Sequence, residues 1–268
     1  MQKTRRQRMA AILVFAVGVA SCTTSPLGRS QLKVMPRHEV DEAGAMAFSE
    51  ILRKKPGYRD AAINAYVLCV TRELTARLSG PAARLQWQVV VFDDLSPNAF
   101  ALPGGKIGVN RGMLRVARTQ DQLAAVVAHE IAHVQAEHAN ERMSAAYATS
   151  SAIGLGAAAA SGMDPAYGQA VNLLGTGAQL GVLMPYSRAH EREADLMGLD
   201  LMARAGFDPD SSIVLWERMA ELSSRKPPEF LSTHPSEETR MGDLRERLPK
   251  ARAIYRNARA RGRHPECL

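Results

Sequence analysis

Thr119-Gln-Asp-Gln-Leu-Ala-Ala-Val-Val-Ala-His-Glu-Ile-Ala-His133 is the stretch on which the reading of this 268-residue chain turns. Leu123, Val126, Val127, Ile131 and Val134 recur at helical spacing, and Thr119 with Gln122 three residues later reads as a capping box at the start. The spacing therefore predicts a helix with H-E-x-x-H in its middle. His129 and His133 stand about one turn apart, so both imidazoles leave one face at a separation that a single zinc ion bridges. Glu130 lies about a quarter-turn away, placed to act as a base without ligating the metal. Two histidines that merely pack would satisfy the same pattern, so a third ligand has to decide.

A second cluster, Ser187-Arg-Ala-His-Glu-Arg-Glu-Ala-Asp195, supplies it on a stretch that also reads helical through Leu196, Leu199, Leu201 and Met202. Two histidines and one glutamate form an established catalytic zinc set that leaves a fourth position open. Glu191 is the expected third ligand. Asp195, four residues on, shares its face and is placed to accept the remaining N–H of a ligand histidine, His129 in preference to His133. Glu193 is a rival only two residues away, which points it elsewhere. His138 also invites promotion to a ligand. Nine residues past His129 is about half a turn round a continuous helix, which predicts a surface or capping histidine instead.

The two clusters together resemble the H-E-x-x-H plus E-x-x-A-D signature of metallopeptidase family 48, the HtpX and CAAX prenyl protease family. Asn98-Ala-Phe-Ala-Leu-Pro-Gly-Gly-Lys-Ile-Gly-Val109 is similar to the family's segment ahead of the active helix. Ser232-Thr-His-Pro-Ser-Glu-Glu-Thr-Arg240 is similar to its H-P-x-x-x-x-R element. The resemblance covers about residues 40 to 250, and it is nearest to the family's bacterial periplasmic lipoproteins, without an appended helical-repeat array. It implies a mainly helical α+β, zincin-like (gluzincin) metalloprotease domain with one zinc per chain. It also implies protein or peptide substrates, misfolded or stalled envelope proteins among them, with outer-membrane assembly machinery as a further partner. His234 is placed near the metal by this resemblance, either donating to the oxyanion or occupying the open zinc position at rest. Arg240 is expected to pair with an acidic residue of the site, since a buried carboxylate is otherwise costly.

The N-terminus has the form of a lipoprotein signal. Lys3, Arg5, Arg6 and Arg8 precede an apolar run from Ala11 to Ala20, and Val19-Ala20-Ser21-Cys22 ends it. The run is too short to span a membrane, which fits a cleaved leader over residues 1–21 and lipidation of Cys22. Residues 22–37, rich in turn formers, read as a tether, and residues 38–268 as a single peptidase domain. With Thr23 and Thr24 after the cysteine, the expected location is the periplasmic face of the outer membrane, anchored by lipid. The leader carries four of the seven excess positive charges. The remaining chain is only mildly basic, which removes the main support for a nucleic-acid partner. Cys69 and Cys267 are then an even pair; a disulfide fits, and so do a buried free Cys69 and a frayed Cys267.

Elsewhere the chain reads as helices over residues 38–55 and 58–79, split by Pro56-Gly57, followed by strands over 85–92, 99–102 and 106–110. A small antiparallel sheet is expected, its edge suited to holding an extended peptide. Residues 144–184 are apolar but broken by Gly, Ser, Asn and Gln, which favours two small-residue helices packed on the active helices as a lid over a pair of membrane spans. The arginines from Arg245 to Arg263 read as a solvated face. A different class of function, a non-proteolytic chaperone or assembly factor with a structural zinc, is opposed by Glu130, because a structural site needs no base.

Overall fold

The computed structural model describes residues 22–161, 186–223, 229–234 and 238–267. The expected leader and the second half of the 144–184 stretch lie outside the described residues. The chain divides into two compact units, one holding residues 22–39 and 140–161, the other residues 40–139 and 186–267.

In the first unit, β1 (Cys22–Thr24) and β2 (Ser30–Leu32) pair as an antiparallel hairpin, within the stretch read as a tether. Its turn closes through Ser25, whose hydroxyl accepts the Arg29 N–H at 3.0 Å. Arg29 then meets Glu141 in a bidentate pair at 2.6 and 2.7 Å. The backbone N–H of Val34 donates to the Ser144 hydroxyl at 2.9 Å.

The second unit is built round the H-E-x-x-H helix. In chain order come α1 (Arg37–Lys54), α2 (Ala61–Thr75), β3 (Gln88–Phe92), β4 (Ala99–Leu102), β5 (Lys106–Asn110) and α3 (Gln120–Gln135). After α4 (His138–Ser161), which lies in the first unit from residue 140 on, the second unit continues with α5 (Arg188–Ala205), α6 (Asp210–Ser223), α7 (Glu229–Thr233) and α8 (Glu238–Ala260). The mainly helical architecture with a small sheet agrees with the sequence reading. None of the helices among the described residues is long and apolar enough to cross a membrane.

The sheet itself corrects the expectation of an antiparallel one. Its order is β3-β5-β4, with β4 antiparallel to β5 but β3 parallel to it. Pro103-Gly104-Gly105 makes a tight hairpin, and both glycines have φ of +76°, so β4 and β5 must be antiparallel neighbours. The connection after β3 carries the chain past β5 to its far side before the hairpin reverses it. β3 and β5 therefore run the same way, and β4 is left on an edge.

α3 is central: α2, α5, α6 and β4 all pack on it. The Thr119 hydroxyl caps it by accepting the Gln122 N–H at 3.2 Å, while Gln122 Oε1 accepts the N–H of Arg118 at 2.8 Å. Every residue from Gln122 to Val134 except Ala125 is buried, so the helix has almost no solvent face. α5 is capped by the Ser187 hydroxyl on the His190 N–H, and it stops at Gly206, whose φ of +91° is costly for residues with a side chain. Cys69 and Cys267 form a disulfide, fastening the C-terminal tail to α2. Gln120 adds two bonds to that tail, donating to the Pro265 carbonyl and accepting the Cys267 N–H, each at 2.9 Å.

Candidate metal centre

Three pieces of backbone bring the site together. α3 contributes His129, Glu130 and His133; α5 contributes Glu191 and Asp195; the segment from the end of α7 into α8 contributes His234 and Arg240. α3 and α5 approach closely because Gly198 faces His129. A Cβ at Gly198 would lie 2.9 Å from the His129 backbone nitrogen, so only glycine lets the Glu191 helix come this near.

His129, His133, Glu191 and His234 each offer one donor atom, all within 4.8 Å of one another and all buried. His129 Nε2 lies 3.1 Å from His133 Nε2, 3.2 Å from His234 Nδ1 and 3.4 Å from Glu191 Oε2. Glu191 Oε1 lies 3.4 Å from His133 Nε2 and 3.0 Å from His234 Nδ1. Lone pairs at these distances repel unless something positive lies among them, and His129 Nε2 has three such neighbours, more than one proton serves. A tetrahedron with metal–ligand bonds of about 2.0–2.1 Å has edges of about 3.3 Å, so these residues fit a zinc ion.

Behind the donors lies an ionic layer. Asp195 Oδ1 faces His129 Nδ1 at 2.9 Å, and Arg240 clasps the same carboxylate with Nε at 2.7 Å and a terminal nitrogen at 2.8 Å. A third nitrogen of Arg240 reaches Glu191 Oε2 at 3.1 Å, and its guanidinium lies 4.3 Å from the Trp216 ring centroid. Burial opposes ionisation of Asp195, but Arg240 and His129 outweigh it and hold the carboxyl below its ordinary value. Glu191 is likewise opposed by burial yet driven well below its ordinary value by the three surrounding histidines. Burial also opposes a charge on His129, and Asp195 with Glu191 nevertheless hold it up at about 10. Carboxylates face both ring nitrogens of His129, Asp195 at Nδ1 and Glu191 at Nε2, a setting suited to a metal cation bound by the neutral ring.

Glu130 is not among the four donors. Its Oε2 accepts the backbone N–H of Ala101 on the edge strand β4 at 3.0 Å. Oε1 is buried with no hydrogen-bonding partner and lies 3.4 Å from His234 Nε2. Burial raises the Glu130 carboxyl above its ordinary value, with His234 and His129 acting against the shift. One oxygen is tied down and the other is left beside the donor cluster, an arrangement suited to taking and giving a proton.

His138 requires correction. It is fully buried rather than a surface residue, and its Nδ1 lies 2.9 Å from His133 Nδ1. The expectation failed because the helix is not continuous. Glu137 adopts a left-handed φ of 55°, which ends α3, and a separate helix, α4, begins at His138. Glu193 does not join the donors, but it is buried and meets His138 Nε2 at 3.2 Å through Oε2. Sequence reasoning also missed the aromatic lining. Tyr186 stacks on His133 with centroids 3.7 Å apart, and Phe230 stacks on His234 at 4.4 Å. Neither carries a local pattern that distinguishes it from ordinary core, although Tyr186 immediately precedes the capping Ser187.

The family model for peptidase family M48 matches residues 61–248, which include every donor and both β4 and α8 residues of the site. The chain belongs to peptidase family M48. It thus carries a metallopeptidase domain, and the cofactor of family M48 is zinc, in keeping with the donor set. Mitochondrial metalloendopeptidase OMA1 of Schizosaccharomyces pombe is 40% identical over 212 residues, covering 76% of this chain and 60% of that protein. The beta-barrel assembly-enhancing protease of Yersinia pestis is 32% identical over 195 residues, covering 70% of this chain and 39% of its own length. The protein of that name in Escherichia coli is 28% identical over 204 residues, covering 74% and 42% respectively. This chain thus spans about half the length of these M48 relatives.

Proposed function

We propose that this protein is a zinc-dependent endopeptidase in which His129, His133 and Glu191 hold the metal and Glu130 is the general base. The observation that carries the proposal is the buried Oε1 of Glu130, which has no hydrogen-bond partner and lies beside the converging donors. When bound, zinc supplies polarisation of the scissile carbonyl and acidifies a water at the site. Glu130 takes a proton from the attacking water, so that the oxygen bonds to the carbonyl carbon, and returns a proton to the amine as the C–N bond breaks. The Ala101 N–H keeps the carboxylate aimed throughout. The outer edge of β4, apart from the Ala101 N–H that Glu130 takes, is suited to holding the substrate as an extended strand through main-chain hydrogen bonds.

His234 is proposed to regulate this centre. Its Nδ1 lies among the donors and its Nε2 beside Glu130, which favours a resting state with the fourth position closed over a role in stabilising the oxyanion.

The proposed location is the periplasmic face of the outer membrane, with Cys22 lipidated and misfolded or stalled envelope proteins as substrates. The basic and apolar leader ending at Cys22 supports this reading, as do bacterial relatives named for β-barrel assembly. The mitochondrial relatives share the same domain, so the location rests on the N-terminus rather than on the site.

One observation favours a second reading: four protein donors close a zinc site in the manner of a structural one, as in a chaperone or assembly factor. Casein cleavage separates the two. Hydrolysis that stops with a chelator and returns with zinc is expected; a zinc-loaded protein with no cleavage under any condition, and none after His234→Ala, would favour the structural site.

A further inference from the structure

The two ring nitrogens of His133 face different neighbours. Nε2 points at the donor cluster, while Nδ1 lies 2.9 Å from His138 Nδ1, and His138 Nε2 in turn lies 3.2 Å from Glu193 Oε2. All three side chains are buried. His190 stacks on His138 with ring centroids 4.4 Å apart and planes 22° from parallel.

Only one direction of proton donation satisfies this chain. A neutral imidazole binds a metal through its unprotonated nitrogen, so His133 carries its proton on Nδ1 and donates it toward His138. His138 must accept with Nδ1, which puts its own proton on Nε2, aimed at the Glu193 carboxylate. The reverse direction places the His133 proton among the donors. It also sets the bare Nε2 of His138 against the lone pairs of Glu193.

We propose that His138 and Glu193 are positioning residues for the metal centre: Glu193 holds His138 in its Nε2–H tautomer, and His138 holds the His133 ring with Nε2 toward the metal. The proposal rests on the reading of His133 as a ligand. It gives the two ligand histidines of α3 different supports, a charged Asp195–Arg240 pair for His129 and a histidine backed by a carboxylate for His133. Outer supports of this kind hold ring orientation, and their loss typically costs about 10- to 100-fold in metal affinity.

The test is zinc affinity of the full chain, measured by competition with a chromophoric chelator. His138→Phe keeps a ring but removes the acceptor, and it is expected to bind zinc about 10- to 100-fold more weakly. His138→Gln offers an amide oxygen to the His133 N–H and is expected to recover most of the loss. Glu193→Leu is expected to weaken binding too, with little further loss when combined with His138→Phe, since Glu193 acts through His138. Parent affinity in His138→Phe overturns the proposal, as do equal losses in the Phe and Gln variants. Should His138→Phe not fold, nitrogen NMR of the zinc-loaded parent decides: protons on His133 Nδ1 and His138 Nε2 support it, and a proton on His138 Nδ1 overturns it. The ligand reading fails separately, and the proposal with it, if His133→Ala binds zinc as the parent does.

Discussion

Glu130 Oε2 accepts a hydrogen bond from the backbone N–H of Ala101 at 3.0 Å. A strand edge thus aims the proposed base that a helix carries, and the two elements are joined at the carboxylate where the chemistry is proposed to occur. Because the anchor is a main-chain group, it survives substitution at position 101, and the base is tested by changing Glu130 itself.

Glu130→Gln leaves all four donors in place and gives Ala101 an amide oxygen to bond. Casein cleavage is expected to fall by about 10²- to 10⁴-fold, the scale of a lost general base, with zinc content and melting temperature unchanged. Cleavage at the parent rate would remove Glu130 from the mechanism.

His234→Ala separates the closed resting state from oxyanion stabilisation by sign. If His234 closes the fourth position, cleavage rises and zinc binds more weakly. If it stabilises the oxyanion, cleavage drops by about a hundred-fold with zinc retained. The 3.2 Å approach of its Nδ1 to His129 Nε2 leads us to expect the rise. A variant unchanged in both measurements would take His234 out of the site.

Arg240 neutralises two buried carboxylates, at 2.7 Å from Asp195 and 3.1 Å from Glu191. Arg240→Ala strands both, and removing one partner of such a pair typically costs about 3–5 kcal/mol. Urea unfolding of the zinc-free and zinc-loaded protein measures it. Arg240→Lys is expected to recover only part, since an ammonium does not reproduce the two-pronged grip on Asp195. Equal stability of all three proteins would contradict this account.

Cys267→Ser opens the bridge that ties the tail to α2. Loss of a native disulfide of long loop length costs about 2–5 kcal/mol. The parent treated with reductant is expected to melt at the temperature of the variant, and a parent whose melting ignores reductant would mean that the bond is absent in solution.

Cys22→Ser tests the proposed anchor. The substituted protein, expressed from its full-length gene, is expected in the soluble fraction of the envelope, whereas the parent sediments with membranes. Retention of the variant on membranes would assign the attachment to another part of the chain.

Local spacing was enough to find much of this molecule. A four-residue interval on one helix puts His129 and His133 on a common face regardless of what surrounds the helix, and the same holds for Glu191 and Asp195. Ser187 and Gly206 mark the two ends of α5 by side-chain and backbone chemistry that acts within a few residues. The hairpin from Ala99 to Asn110 follows from its turn glycines in the same way.

What lies between distant segments was decided by packing. β3 runs parallel to β5 because of the path of a connection, which strand composition does not encode. His138 moved from an expected surface to the back of His133 because one residue, Glu137, takes a left-handed conformation that ends the helix, and no glycine marks the spot. Glu193, Trp216, Tyr186 and the N–H of Ala101 have no spacing relation to H-E-x-x-H; they reach the centre because Gly198 lets two helices close together and because β4 lies on an edge. Periodicity is a property of one segment's own backbone, and so it was enough to pick out the proposed ligands. Their support comes from buried polar groups of other segments that must find partners once water is excluded, and only the folded chain determines which they find.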